Sequence, residues 1–383
     1  MSVRSFNRRP ALIAGVSVRF THHSVLTGSV AAMALAASTA FAQSITNVGV
    51  PTGGTSSTAG AVSGNGSAVA STVSMSSANR WSGGTFTNLG SILGAESYLA
   101  EDISNDGGAI AGSAFIVTPE ETIRAFRWTQ SGGIQNLGTL TGHVASIGNG
   151  ISGDGNVVTG ASFDVDFIPS AFRWAVGGVM QPLGAVAGGT SSEGRRVSAN
   201  GSVIVGVAGT ENGDRAFRWT EEGGMQSLGL LLPGDNGSSA FGVSGDGLVV
   251  AGFSGANAVI WVNGVAQSLG MLPGASNAIA YAVNADGSLI GGYSFFAGQS
   301  VRATLWSSSL GLVDLNTYLP TLGIDLTGWQ LQYTRDISAD GTTIVGDGLY
   351  NGEFRGWVVT IPSPGAAGVL GLGGLLALKR RRR

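Results

Sequence analysis

The sequence predicts an all-β fold, a seven-bladed β-propeller of four-stranded blades, because three marks each recur seven times along the chain. Tryptophan returns at Trp81, Trp128, Trp174, Trp219, Trp261, Trp306 and Trp357, three times inside the string AFRW. An Asx-Gly step returns at Asn65-Gly66, Asp106-Gly107, Asp154-Gly155, Asn200-Gly201, Asp246-Gly247, Asp286-Gly287 and Asp340-Gly341. A Leu-Gly step returns at Leu89, Leu137, Leu183, Leu228 and Leu269, and degenerates to Leu315-Asn316 and Val48-Gly49. The spacing is about 45 residues, the period of a propeller blade.

Two neighbouring copies give the elements of one unit. Residues 239–244 read as a short strand, and the Gly-Asp-Gly that follows reads as a hairpin turn, since Asp-Gly tolerates the positive φ such turns need. Residues 248–254 (LVVAGFS) form an apolar strand, 215–220 (RAFRWT) a third and 225–230 a fourth. The strand before Asx-Gly is rich in Ser, Ala and Gly, which suits a crowded channel, so it is placed innermost. The valine-rich strand comes next, the tryptophan strand third and the Leu-Gly strand outermost. Residues 45–50 are then a fourth strand lacking its first three, and 353–360 a third strand lacking its fourth. Pairing them closes the ring and hides the exposed edges.

The two ends read as processing signals. Arg4, Arg8, Arg9 and Arg19 precede an apolar stretch at 25–37, and Ala40-Phe41-Ala42 gives an A-x-A cleavage site before Gln43. Residues 1–42 are thus expected to be a signal peptide removed by signal peptidase. Residues 362–383 begin Pro362-Ser363-Pro364, continue through an apolar run at 365–378 and end in Lys379 and four arginines. Fourteen apolar residues are short for a spanning helix, and the basic cluster would stay on the cytoplasmic side.

Composition excludes several functions. Cysteine is absent, so disulfide frameworks, thiol catalysis and cysteine metal sites are impossible. Glycine supplies 64 of 383 residues. Residues 43–361 hold eleven arginines against twenty-three acids, a formal −12, which argues against nucleic acid. One histidine, His143, lies between the signals, with no G-x-S-x-G elbow to accompany it, and reads as a loop residue. Each Asx-Gly offers one carboxylate or amide and reads as a turn. Asp164 and Asp166 of FDVDF come nearest to a calcium pair, but no metal or other cofactor is expected.

The repeated strings resemble the HAF repeat of bacterial extracellular proteins: A-F-R-W, then G-G-[IM]-x-x-L-G, then [GA]-[IV]-S-x-[DN]-G and V-V-x-G. The resemblance covers nearly all of 44–360 and implies an extracellular repeat protein without a catalytic motif. The C-terminal segment resembles the PEP-CTERM sorting signal, with Ser363 where that family has Glu. It implies transient membrane insertion of the tail, processing by an exosortase-type enzyme, and display in the envelope, on the surface or in the matrix of a Gram-negative-type bacterium.

The expected function is non-enzymatic: a secreted surface or matrix protein that binds polysaccharide or envelope components through one loop face. The alternatives are a purely structural matrix component, or a polysaccharide-active hydrolase or lyase that uses carboxylates. The longest and most dissimilar connections fall on the face opposite the Asx-Gly turns, at 116–124, 163–170, 295–302 and 318–331. They carry the candidate ligand residues Glu120, Glu121, Asp164, Asp166, Phe295, Phe296, Tyr318 and Trp329. Asp102, Arg196 and Asp336 take equivalent places on the inner strand and are candidate channel-lining residues. Asp102 and Asp336 would serve the enzyme alternative as its acids, and with Arg196 they would serve the structural one as blade-to-blade ion pairs. The seven repeat tryptophans are assigned to the core between blades.

Overall fold

The computed structural model describes residues 43–118, 121–298 and 300–361. These form seven antiparallel four-stranded sheets, the blades of a β-propeller. From inner to outer strand, blade 1 is Ala61–Val62, Val69–Val73, Ser77–Ser82 and Thr85–Asn88. Blade 2 is Ala95–Ile103, Ala109–Ile116, Thr122–Thr129 and Gly133–Asn136. Blade 3 is Ala145–Ile151, Val157–Phe163, Pro169–Ala175 and Gln181–Pro182. Blade 4 is Gly189–Val197, Val203–Thr210, Arg215–Thr220 and Gly224–Ser227. Blade 5 is Ser238–Val243, Val249–Ser254, Asn257–Val262 and Val265–Gly270. Blade 6 is Ala275–Val283, Ile290–Phe296, Val301–Ser307 and Gly311–Asp314. Blade 7 is Trp329–Ile337, Thr343–Tyr350 and Glu353–Thr360, completed by Ser44–Asn47 from the other end of the chain. Ile45 pairs with Val359, so the ring closes by the expected seam.

The core is not one cluster but seven layers, one between each pair of blades. In the layer between blades 1 and 2, Phe126 and Trp128 pack on Ala61, Ala68, Ala70, Ala78 and Leu89. Two-residue alternation aims Phe and Trp of AFRW at the preceding blade and Ala and Arg at the next. Ala125 accordingly packs with Phe172 and Trp174 of blade 3, and Arg127 Nε donates to the Gly155 carbonyl at 2.6 Å. Arg80 makes the same clip to Gly107 at 2.8 Å. Trp81, Trp128, Trp174, Trp261 and Trp357 are buried, while Trp219 and Trp306 lie half-buried against their layers. The glycine of V-V-x-G has a packing cause: a Cβ on Gly112 would collide with the Leu99 carbonyl of the inner strand and lie 2.6 Å from the Phe126 ring opposite it, and the same carbonyl clash recurs at Gly160, Gly206, Gly252, Gly292 and Gly346.

Each Asx-Gly turn is tied by its own side chains. Asp106 Oδ1 accepts from Ser104 Oγ at 2.6 Å and from the Gly108 N–H at 2.8 Å. That spends the carboxylate inside the turn, and Gly107 supplies φ +71°. Further in, backbone N–H groups run from blade to blade, Asn105 to Gly153, Gly153 to Ala199, Gly245 to Ala285, Ala285 to Ala339 and Ala339 to Gly64. This belt narrows the turn face of the channel.

Two sequence expectations need correction. The segment 318–331, read as a variable loop, begins inside a helix, Leu315–Thr321. Asp314 caps it by accepting from Asn316 N at 2.9 Å, and Leu315 and Leu319, one turn apart, are buried between blades 6 and 7. The fourth strand of blade 4 is also shorter than expected: 225–230 becomes Gly224–Ser227, the chain turning at Gly229 with φ +73°. Among the described residues no helix is long and apolar enough to cross a membrane. Ala40, Ala42, Pro362, Ser363 and Pro364 lie outside the described residues.

Candidate functional site

The inner strands of blades 2 to 7 each carry a β-bulge two residues before the Val or Ile that precedes the turn, for example between Ala100 and Asp102 and between Thr334 and Asp336. A bulge re-aims the side chains beside it, and here it turns two consecutive residues toward the channel. One column of the repeat is therefore Ala61, Asp102, Gly150, Arg196, Gly242, Ala282 and Asp336; the column before it is Gly60, Glu101, Asn149, Arg195, Phe241, Tyr281 and Arg335. The small residues let strands approach: a Cβ on Gly150 would lie 2.9 Å from the Arg195 carbonyl.

Only three side chains of the first column exceed a methyl group, and they converge. Asp102, Arg196 and Asp336 line one cavity of about 100 Å³ on the turn side of the channel. Arg196 Nη1 lies 3.5 Å from Asp102 Oδ2 and donates to the Asn149 carbonyl at 3.0 Å. Each aspartate also clips its blade to the next. Asp102 accepts from Ile151 N and Asp336 from Val62 N, both at 2.9 Å, and each accepts from the N–H of the residue after it. Burial pushes Asp336 up to about 7 against the pull of Arg196, with the Asp102 carboxylate adding to the rise. Burial raises Asp102 as well, opposed by Arg196. For Arg196 burial works against the charge, but Asp102 and Asp336 outweigh it and hold the guanidinium charged.

The second column lines the loop-side mouth, where contacts run from blade to blade. Asn149 Nδ2 donates to Glu193 Oε1 at 2.9 Å. The Arg195 guanidinium lies 4.3 Å from the Phe241 ring centre, Phe241 stacks on Tyr281 at 5.2 Å, and Arg335 lies 5.5 Å from Tyr281 and 4.6 Å from Tyr333. Tyr293 joins this wall edge-on to Tyr333 at 5.0 Å, and burial pushes its hydroxyl up to about 12. Arg335 Nε is also held by Asp347 Oδ2 at 2.7 Å. The wall stops where blade 1 offers Gly60. There a pocket of about 360 Å³ opens between blades 7, 1 and 2, lined by Gly60, Glu101, Met75, Tyr281, Arg335 and Phe354 among others.

The loop-face candidates do not assemble. Apart from the Asp166 N–H that Asp164 accepts within its own turn, no hydrogen bond, ion pair or ring stacking joins one described loop candidate to another. Glu121 is exposed; Glu120 lies outside the described residues. Asp164 accepts from Asp166 N and Ile168 N, both at 2.9 Å, so it caps its own turn while Asp166 is exposed beside it. Phe295 reaches the wall, edge-on to Tyr293 at 5.3 Å, and Phe296 lies under the Arg302 guanidinium at 4.8 Å. Tyr318 and Trp329 pack on the layer between blades 6 and 7, Trp329 against Tyr350 at 4.8 Å. Trp329, expected to lie clear of the repeat core, is thus a flank of it, because its strand starts inside that layer. His143 is half-buried in a turn closed by its N–H to the Leu140 carbonyl at 3.0 Å.

Sequence reasoning found the column of Asp102 and missed its neighbour. The signal was present: in the inner-strand frame that ends in Val or Ile and then Ser, or Asn284 in blade 6, one position changes chemistry from copy to copy. Arg335, Tyr281, Phe241, Arg195 and Glu101 all sit there.

No protein-family model and no curated protein sequence matches the chain. Solved propellers do. The chain is similar to oligogalacturonate lyase from Vibrio parahaemolyticus, with a TM-score of 0.55 and 11% identity over 83% of this chain and 93% of that one. It is also similar to TolB from Acinetobacter baumannii, with a TM-score of 0.45 and 14% identity over 67% of this chain and 65% of that one. At 11% identity the likeness to the lyase is one of fold.

Proposed function

We propose that this is an exported, non-enzymatic surface or matrix protein of the HAF-repeat kind, carried by a PEP-CTERM-like tail, whose propeller binds polysaccharide at the loop-side mouth of its channel. The observation that carries the reading is the continuous wall from Arg195 through Phe241 and Tyr281 to Arg335 and Tyr333. Half-buried aromatic faces with guanidinium groups beside them offer an apolar floor to the faces of sugar rings and polar partners to their hydroxyls. The acidic balance of residues 43–361 weighs against a nucleic acid. The placement of Asp102 and Asp336 weighs against a glycoside hydrolase. Each has both oxygens engaged by backbone N–H groups, and Arg196 closes on them from the same cavity, which leaves no pair of acids free across a cleft.

The test is co-sedimentation of the protein with the extracellular polysaccharide of its own source, over a salt series. Saturable binding that survives salt, and that Tyr281→Ala weakens without lowering the melting temperature, is the expected result. No binding, or binding indifferent to Tyr281→Ala, overturns the reading.

A further inference from the structure

The charged side chains around the mouth pair off and leave one over. Arg335 is held by Asp347 at 2.7 Å. Arg195 lies 3.7 Å from Glu193 and donates to Ser239 Oγ at 2.7 Å. Arg196 is engaged one level below by Asp102 and the Asn149 carbonyl. Glu101 has no hydrogen bond and no ion pair to any described residue, although it is half-buried and lines the pocket. The charged groups that face it are Arg196, Arg335, Asp102 and Glu193, and burial raises its carboxyl above the usual range against the pull of both arginines.

The space beside it is shaped by an omission. In six blades the bulge residue is Glu101, Asn149, Arg195, Phe241, Tyr281 or Arg335; blade 1 has no bulge and the equivalent position is Gly60, and the pocket of about 360 Å³ opens there. That volume suits a small ligand. A hairpin with a conformational peculiarity overhangs it: Ser74 and Met75 hold φ +52° and +51° without being glycine, and Met75 is 75% exposed at the tip while lining the pocket.

An unpaired carboxylate in a half-enclosed pocket is missing a counter-ion, and neutral hydroxyls replace only part of the water it has lost. An anionic sugar would meet arginines already neutralised and a carboxylate that repels it. We propose that the pocket binds the primary ammonium of an amino sugar, with Glu101 as its counter-ion and the Gly60 gap as the room for its ring. This rests on the polysaccharide-binding reading and names the sugar that the mouth selects.

The experiment is calorimetric titration of the protein with a glucosamine tetramer and, separately, with the N-acetylglucosamine tetramer. The free amine should bind roughly tenfold tighter or more, since acetylation removes the charge. Glu101→Gln should abolish that preference. Gly60→Phe, which gives blade 1 the residue blade 5 carries, should abolish binding; because a Cβ there would lie 3.2 Å from the Ala100 carbonyl, its melting temperature is read beside it and Glu101→Gln remains the deciding variant. Affinity for the amine should fall as pH drops and Glu101 takes a proton. Equal affinity for the two tetramers, or a preference that survives Glu101→Gln, overturns the proposal while leaving the polysaccharide reading in place. If neither tetramer binds but the native polysaccharide still co-sediments, the amine proposal alone fails. If nothing binds, both fail.

Discussion

The layers between blades and the positions around the channel come from the same repeats, yet they differ in one respect. In the layers the copies agree. Phe126 with Trp128, Phe172 with Trp174, and Phe217 with Trp219 each meet the preceding blade in the same way. Around the channel they disagree: Glu101, Asn149, Arg195, Phe241, Tyr281 and Arg335 share one backbone position but carry an acid, an amide, two guanidiniums and two aromatic rings. The difference is physical. A layer residue is clamped on every side, and interiors near crystal density tolerate little change of volume. A bulge residue points into a channel bounded by other bulge residues, so it is free to differ. In a repeat protein, agreement marks what holds the ring together, and disagreement on a rigid frame marks where a ligand can be read.

The comparison breaks if a layer residue proves dispensable. Trp357 is fully buried between blades 6 and 7, on the strand that also pairs with the N-terminal seam. Trp357→Ala should cost about 3–5 kcal/mol by denaturant unfolding. A loss below about 1 kcal/mol, the size expected at an ordinary exposed site, would show that closure does not depend on that layer.

The comparison sharpens at Arg196, a channel residue held as tightly as a layer. Arg196→Met would leave Asp102 and Asp336 buried without their cation, at a cost of about 3 kcal/mol. A neutral outcome would make the cluster a passive lining. Asp336 then supplies a pH signature. Its folded value, raised to about 7, lies above the usual carboxylate value near 3.9, so the folded state keeps a proton that the unfolded state has released. Stability should therefore fall as pH rises from about 4 to 7 and level off above. Asp336→Asn should make that fall shallower, read as melting temperature across the series. An unchanged slope would remove Asp336 as its source.

Much of this was legible. Blade count, strand order and the closing seam follow from Trp81 to Trp357, from the Asx-Gly turns and from the orphan strand at the N-terminus, because each is a local pattern repeated. Asp102, Arg196 and Asp336 were legible as one column for the same reason. The mouth was not. A search for likeness passes over Glu101 and Tyr281, which differ from their counterparts, and nothing in a linear string marks a bulge. Trp329 misled because a tryptophan outside the repeat reads as a loop residue, whereas its strand begins inside a layer. The helix Leu315–Thr321 was hidden by the expectation of a Leu-Gly step at Leu315.

The smallest expected effect separates charge from geometry within the agreeing part of the molecule. Ser104 donates to Asp106 at 2.6 Å and accepts from Ala109 N at 2.9 Å; Ser198 makes the matching bonds to Asn200 at 2.8 Å and from Val203 N at 3.0 Å. The Ser104 hydroxyl, then the Gly108 N–H, holds the Asp106 carboxyl below its usual range. A depressed acid stabilises the fold above its unfolded value, near 3.9, and that contribution is lost as pH falls through the folded value. At pH near 7 both Ser104→Ala and Ser198→Ala should cost about 1 kcal/mol. On acidification the cost of Ser104→Ala should shrink, because protonated Asp106 no longer prefers the hydroxyl, while the cost of Ser198→Ala stays constant, because Asn200 has no proton to gain. Parallel curves for the two variants would mean that the turns are held by shape alone and that Asp and Asn are interchangeable in the Asx-Gly mark.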